Sequence, residues 1–73
     1  MTPDDYLKRP YQYILIWDED SKIWAGRIKE FPGCFAIGDA WNIIWKLRIS
    51  AHYWIAAALD LGQAIPEPEA WRE

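Results

Sequence analysis

The sequence has one cysteine, Cys34, one histidine, His52, and no long run of uncharged apolar residues. A single cysteine cannot form an intrachain disulfide or a cysteine-based zinc cluster. The longest stretch without a charged residue, Ile49 to Leu59, has eleven residues and includes two polar ones, so it is too short to cross a bilayer. Disulfide-stapled and membrane-spanning classes are therefore excluded.

Basic residues are also scarce. Eight Lys and Arg stand against eleven Asp and Glu, for a formal net charge of −3, whereas a nucleic-acid-binding domain is expected to carry a basic face. The four glycines form no phosphate-binding motif. Residues 1–5 are acidic and lack an apolar core, so we expect no signal peptide. These absences favour a cytoplasmic protein with no direct nucleic-acid or membrane partner.

What the sequence has in excess is tryptophan. A chain of 73 residues forms one small domain, and its 52% hydrophobic content is too high for a disordered segment. A core of this size can enclose only a few residues as large as tryptophan, so we expect several indoles to be exposed. The six are Trp17, Trp24, Trp41, Trp45, Trp54 and Trp71.

Runs of β-branched and aromatic residues predict three strands, over residues 11–17, 23–28 and 34–38. Polar residues 18–22 and the Phe31-Pro32-Gly33 turn separate them. The first strand is apolar on both of its faces, so the sequence does not decide which face a helix covers.

A single long helix is predicted over residues 41–61, which contain no Pro or Gly. Asp39 is the candidate N-terminal cap and Gly62 follows the last turn. Residues 64–68 then form a short fourth strand or an extended segment, because Pro66 and Pro68 block further helix.

The resulting order is β-β-β-α-β, an α+β fold whose antiparallel sheet has three to four strands and one long helix packed on one face. Residues 1–10 are predicted to be an extended lead-in, residues 11–68 a single domain, and residues 69–73 a C-terminal tail.

The helix is predicted to be apolar on two opposite faces. One stripe should pack on the sheet, with Ile43 and Ile44 beside it; its members are Leu47, Ala51, Trp54, Ala58 and Leu61. A second set lies opposite and cannot be buried against the same sheet. We call it the outer helix face; its members are Trp41, Trp45, Ile49, His52, Tyr53 and Ala56.

The outer helix face is the candidate binding site. Two exposed Trp and an Ile present on the order of 500 Å² of apolar surface, and Trp and Tyr are typical interface anchors. Three explanations stay open: a heteromeric protein partner, self-association, or a chain end folded over the helix. His52 is either a pH-sensitive part of this surface or a merely solvated side chain.

Nothing in the sequence predicts catalysis. Nucleophilic catalysis needs a nucleophile, a base and an orienting group brought together, and we expect Cys34 and His52 to lie far apart. Cys34 is interpreted as a small buried residue. The acidic turn Asp18-Glu19-Asp20 lacks the ligand pattern of a calcium loop. We therefore expect a protein that is not an enzyme and uses no cofactor or metal.

A series of short motifs in a fixed order spans residues 11–68. They are Tyr13-Ile14-Leu15-Ile16, Asp18-Glu19-Asp20, Glu30-Phe31-Pro32-Gly33-Cys34, Gly38-Asp39, Leu47, Trp54-Ile55, Ala57, Leu59, Leu61-Gly62-Gln63 and Ile65-Pro66-Glu67-Pro68. In these motifs the chain resembles the N-terminal domain of HicB-like antitoxins. That resemblance implies a partial ribonuclease-H-like fold without the catalytic carboxylates, and a role in binding a small RNA-cleaving toxin, commonly with self-association. Longer relatives add a C-terminal DNA-binding domain, which we do not expect in these 73 residues.

The sequence departs from that family at the helix. The family usually has Thr and an acidic pair after the motif Gly38-Asp39, whereas this chain has Ala40, Trp41 and Asn42. Aromatic and apolar residues also replace the Glu-rich exposed face. The leading hypothesis is a protein-binding module whose outer helix face has been redesigned on a HicB-like scaffold. The second is a natural type II antitoxin that neutralises an RNA-cleaving toxin and self-associates through the aromatic surfaces.

Overall fold

The computed structural model describes residues 2–72, with side chains described for residues 2–71. Met1 of the predicted lead-in and Glu73 of the predicted tail lie outside the described residues. The fold is α+β, as predicted, with a long helix packed on an antiparallel sheet. In chain order the elements are α1 (Pro3–Leu7), β1 (Tyr13–Asp18), β2 (Ile23–Ile28), β3 (Phe35–Gly38), α2 (Ile43–Asp60) and a 3₁₀ turn (Glu69–Arg72).

The sheet of the described residues has three strands in the order β1-β2-β3, all antiparallel. The hairpin between β1 and β2 is closed by Asp18, whose Oδ1 accepts hydrogen bonds from the N–H groups of Asp20 at 3.1 Å and Ser21 at 3.4 Å. Lys22 completes the turn with a φ of 54°. The predicted strands are confirmed to within two residues.

Helix α2 begins at Ile43, two residues after the predicted start. Before it, Asp39 and Asn42 bond reciprocally: Asp39 Oδ1 accepts from the Asn42 N–H at 3.1 Å, and Asn42 Oδ1 accepts from the Asp39 N–H at 3.0 Å. This exchange has the form of a capping box, but it closes the turn before the helix. Asp39 therefore organises the approach to α2 and is not its cap residue.

The end of α2 follows the predicted glycine signal. Gly62 has a φ of 74°, a conformation that glycine adopts without strain. Its N–H donates to the Leu59 carbonyl at 3.1 Å, and the Gln63 N–H donates to the Ala58 carbonyl at 2.8 Å. This pair of bonds is a Schellman motif, so the helix stops where the sequence predicts.

The buried side of α2 differs from the predicted stripe in two positions. Trp54 is only half-buried, at the rim of the core, where it stacks on Phe31 and donates from Nε1 to the Pro32 carbonyl at 2.9 Å. Leu61 is 73% exposed because it lies beyond the last helical residue. Ile55 takes the central place instead. The buried residues of α2 are Ile43, Leu47, Ala51, Ile55 and Ala58.

Helix α2 covers the sheet face that carries Gly26. A Cβ at Gly26 would lie 3.2 Å from Leu47 Cδ2 and 3.5 Å from Ile43 Cδ1, and 2.9 Å from Leu15 Cδ2 of the neighbouring strand. The missing side chain therefore lets the helix approach the middle of the sheet closely.

The prediction of an extended lead-in over residues 1–10 is wrong. Thr2 and Asp5 form a capping box, with Pro3 in the first turn, and these local signals start the helix α1. Its Tyr6 and Leu7 then pack against the core. Five residues are too few for a stable isolated helix, so contact with α2 and the core must hold α1.

The C-terminal segment has no regular secondary structure over residues 63–68 and adds no fourth strand to the described sheet. Pro66 and Pro68 have no N–H to offer a neighbouring strand. Side chains hold the segment instead: the Tyr11 hydroxyl donates to the Pro66 carbonyl at 2.6 Å, and Glu30 Oε2 accepts from the Glu69 N–H at 3.0 Å. No helix within residues 2–72 is long and apolar enough to cross a membrane.

The corrected buried side of α2 can be tested with two leucines that the sequence assigns to the same stripe. Leu47→Ala removes a fully buried side chain and should lower the free energy of unfolding by about 2–5 kcal/mol. Leu61→Ala should change it by less than about 0.5 kcal/mol. Urea denaturation followed by circular dichroism measures both. Equal effects would mean that Leu61 belongs to the core.

Candidate protein-binding surface

Four of the six residues of the outer helix face are exposed, as the sequence predicts. Trp41 is 96% exposed, Tyr53 70% and Trp45 67%. Ile49 is exposed to a smaller degree, and His52 and Ala56 are partly buried. Trp45, Ile49 and Tyr53 therefore make the exterior of α2 aromatic and apolar, an unusual surface for a single small domain.

Four of the six predicted residues line one groove beside α1. The groove has a volume of about 380 Å³. Arg48 of α2 and two residues of α1 complete it. We call it the α1–α2 groove; its lining residues are Asp4, Leu7, Trp45, Arg48, Ile49, His52 and Tyr53. The sequence predicts no helix at the N-terminus, but a chain end folded over the outer helix face is one of the three explanations that it leaves open.

His52 connects the two helices that form this groove. Its Nδ1 lies 3.5 Å from Asp4 Oδ1, a contact that is an ion pair whenever the imidazole is protonated. Its ring also meets the Tyr53 ring edge to face, with centroids 5.7 Å apart. The chain end therefore covers one flank of the outer helix face, while Trp45 and Tyr53 remain exposed.

Trp41 lies apart from the other predicted residues. Because α2 begins at Ile43, Trp41 belongs to the preceding turn and not to the helix. It lines a second cleft, together with Trp17 and Trp24 of the β1–β2 hairpin. We call this the tryptophan cleft. Trp17 and Trp24 stand on either side of the hairpin turn in the sequence, and this placement is a signal from which their cross-strand contact could be predicted. Ala56 is not among the residues that line either cavity.

A further apolar surface lies on the sheet face that α2 does not cover. Its cross-strand rows join Ile14 to Arg27 and Phe35, and Ile16 to Ala25 and Ile37. We call this the open sheet face. Phe35 is 64% exposed there. The structure thus decides what the sequence left undecided, since a sheet with one covering helix keeps its other face in contact with solvent.

Cys34 is buried, as predicted. It also has a polar neighbour, Ser50, that the sequence does not predict. Its thiol lies 3.8 Å from Ser50 Oγ, and the Ser50 hydroxyl donates to the Phe35 carbonyl at 3.0 Å. Burial raises the pKa of the Cys34 thiol, and the Ser50 hydrogen bond only partly opposes this. A thiol held protonated is a poor nucleophile.

Metal ligation has no geometric support in the described part of the chain. Residues 2–72 contain no group of three or more His, Cys, Asp or Glu side chains placed to hold a metal ion. The acidic turn residues serve the hairpin, where Asp18 accepts backbone hydrogen bonds and Glu19 pairs with Lys22 at 3.3 Å. The features that remain as candidate sites are the exposed apolar surfaces described above.

Comparison of the chain with protein-family models, with curated proteins and with solved structures found no match. The resemblance to HicB-like antitoxins therefore remains a prediction from the motifs. The contacts and exposures described above carry the functional argument.

The buried thiol gives a direct measure of how often the core opens. At pH 8 we expect native Cys34 to react with a disulfide reagent about 100-fold more slowly than in the unfolded chain, because it is buried and protonated. The rate should rise with pH as thiolate forms. Absorbance of the released thiol follows the reaction. Native and unfolded chains reacting alike would show that Cys34 is accessible.

Proposed function

We propose that this chain is a non-catalytic protein-binding module that docks a protein target on the α1–α2 groove. We further propose that its scaffold is a HicB-like antitoxin domain, a partial ribonuclease-H-like fold, with a redesigned outer helix face. Three antiparallel strands followed by one long helix on one face support this assignment.

The exposure of Trp45 and Tyr53 on a rigid helix carries the proposal. These residue types dominate interface energetics because a large, stiff side chain becomes buried with little loss of conformational entropy. Their helix is fixed from beneath by Leu47, Ala51 and Ile55, each fully buried. A partner would therefore meet anchors that are already in position.

The α1–α2 groove is lined by both apolar and charged side chains. Leu7 and Ile49 supply aliphatic surface, while Asp4, Arg48 and His52 bring polar groups of both signs. An apolar centre within a polar rim is the usual composition of a protein–protein interface. Because both charges are present, the groove suits a partner with a mixed polar border and not a highly charged polymer.

The alternative is a natural type II antitoxin that neutralises an RNA-cleaving toxin and self-associates through its aromatic surfaces. The open sheet face favours this alternative, because a second copy would cover Ile16, Phe35 and Ile37 as well as the helix. Both hypotheses place the protein in the cytoplasm, where a free thiol such as Cys34 stays reduced. Neither requires a cofactor.

The groove is tested by removing one anchor. Purified candidate proteins, including RNA-cleaving toxins, are measured for binding by calorimetry. For any partner found, Trp45→Ala should weaken binding by about 2 kcal/mol or more. Phe35→Ala removes an equally exposed aromatic from the open sheet face and serves as the matched control. A partner that tolerates Trp45→Ala but not Phe35→Ala would contradict docking on the groove.

Sedimentation equilibrium separates the two hypotheses. A heteromeric binding module should sediment as a single chain of 8.6 kDa at micromolar concentration, and neither variant should change its mass. The antitoxin alternative instead predicts a multiple of that mass. The variant that restores the single chain, Trp45→Ala or Phe35→Ala, would then identify the associating face.

A further inference from the structure

The tryptophan cleft presents three indoles around one open space. Trp17 and Trp24 are cross-strand partners whose ring centroids lie 5.4 Å apart, with 57° between the ring planes. Trp41 reaches the cleft from the turn before α2 and is almost fully exposed. The cleft is shallow and open to solvent, with a volume of about 640 Å³. Three large aromatic side chains thus border one solvent-accessible depression.

Two charged residues line the cleft, Asp39 and Lys22, and only Lys22 has an ion-pair partner among residues 2–71. Asp39 lines the cleft, and its Oδ1 accepts the N–H groups of Trp41 and Asn42 at 3.0 and 3.1 Å. Among residues 2–71, no Lys, Arg or His lies within ion-pair distance of Asp39. Lys22 also lines the cleft, but its ammonium is paired with Glu19 at 3.3 Å.

Glu19 binds two residues of the cleft. Its Oε2 accepts the Trp17 indole N–H at 2.7 Å, while Oε1 faces Lys22. These two hydrogen bonds lower the pKa of the Glu19 carboxyl, so it is an anion beside Lys22 at neutral pH. The Glu19–Lys22 pair is exposed and only partly offsets the Lys22 charge, whereas Asp39 has no ion-pair partner among residues 2–71.

We propose that the tryptophan cleft binds a quaternary ammonium group, such as that of choline or trimethyl-lysine. Indole faces are the strongest aromatic partners of cations, and they suit quaternary ammonium groups in particular. The Asp39 carboxylate adds attraction for positive charge and repels anions. A neutral apolar group of the same shape would gain only the contact area. This proposal stands independently of docking on the α1–α2 groove.

The indole N–H signals in a two-dimensional ¹H–¹⁵N spectrum test the proposal within one molecule. Choline and trimethyl-lysine, each titrated at constant ionic strength, should shift the signals of Trp17, Trp24 and Trp41 with a common saturation curve. The remaining tryptophans are internal controls and should stay in place; they are Trp45, Trp54 and Trp71. Equal affinities for the two ligands would show that the quaternary group alone is recognised. Tighter binding of trimethyl-lysine would show that the amino-acid ligand is preferred.

A neutral isostere separates charge recognition from simple apolar contact. The alcohol 3,3-dimethylbutan-1-ol has the shape of choline without the charge, and we expect it to bind about tenfold more weakly. Equal binding of the alcohol and choline would overturn the proposal. So would unsaturable shifts, or shifts spread equally over all six indoles.

Two variants move the affinity in opposite directions. Asp39→Asn keeps an oxygen that can accept the Trp41 and Asn42 N–H groups but removes the charge, so choline should bind about threefold to fivefold more weakly. Lys22→Asn removes the nearby cation, and asparagine tolerates the positive φ at this position, so choline should bind more tightly. The alcohol should bind both variants as it binds the parent chain. Unchanged choline affinity in both variants would also overturn the proposal.

Discussion

The contact between the buried row of α2 and the centre of the sheet governs the rest of this structure. Leu47, Ala51 and Ile55 pack beneath the helix, and Gly26 lets two of its side chains approach the middle strand closely. One helix and one three-stranded sheet offer a single shared interior. Every apolar residue that does not point into that interior must stay at the surface or be covered by a chain end.

The surplus of aromatic residues follows from this geometry and separates into distinct surfaces. Trp45 and Tyr53 border the α1–α2 groove, where the N-terminal helix supplies the opposite wall. Trp41 joins the hairpin tryptophans in a separate cleft. Phe35 stands on the open sheet face. These surfaces differ in the residues and charges that line them, so they suit different ligands, and they do not form a single broad aromatic patch.

The strands and the long helix are easier to predict from the sequence than the contacts that each side chain makes. Strand composition and the Gly62 signal are local, so the strands and the end of α2 could be predicted. The helical wheel placed Trp41 on the outer face by extending α2 two residues too far. Its four–three spacing also assigned Trp54 and Leu61 to the buried stripe, whereas the docked helix buries Ile55. The open sheet face could not be assigned, since β1 is apolar on both sides and only the docked helix breaks that symmetry.

Glu30 connects two segments that are far apart in the sequence. Its two carboxylate oxygens accept the N–H groups of Gln12 and Glu69, and the Arg9 guanidinium stacks over the Tyr6 and Trp71 rings. Residues 9–12 and 69–71 are thus neighbours in space. Because one carboxylate accepts hydrogen bonds from both segments, losing Glu30 should loosen them together while leaving the long helix and its supporting contacts in place.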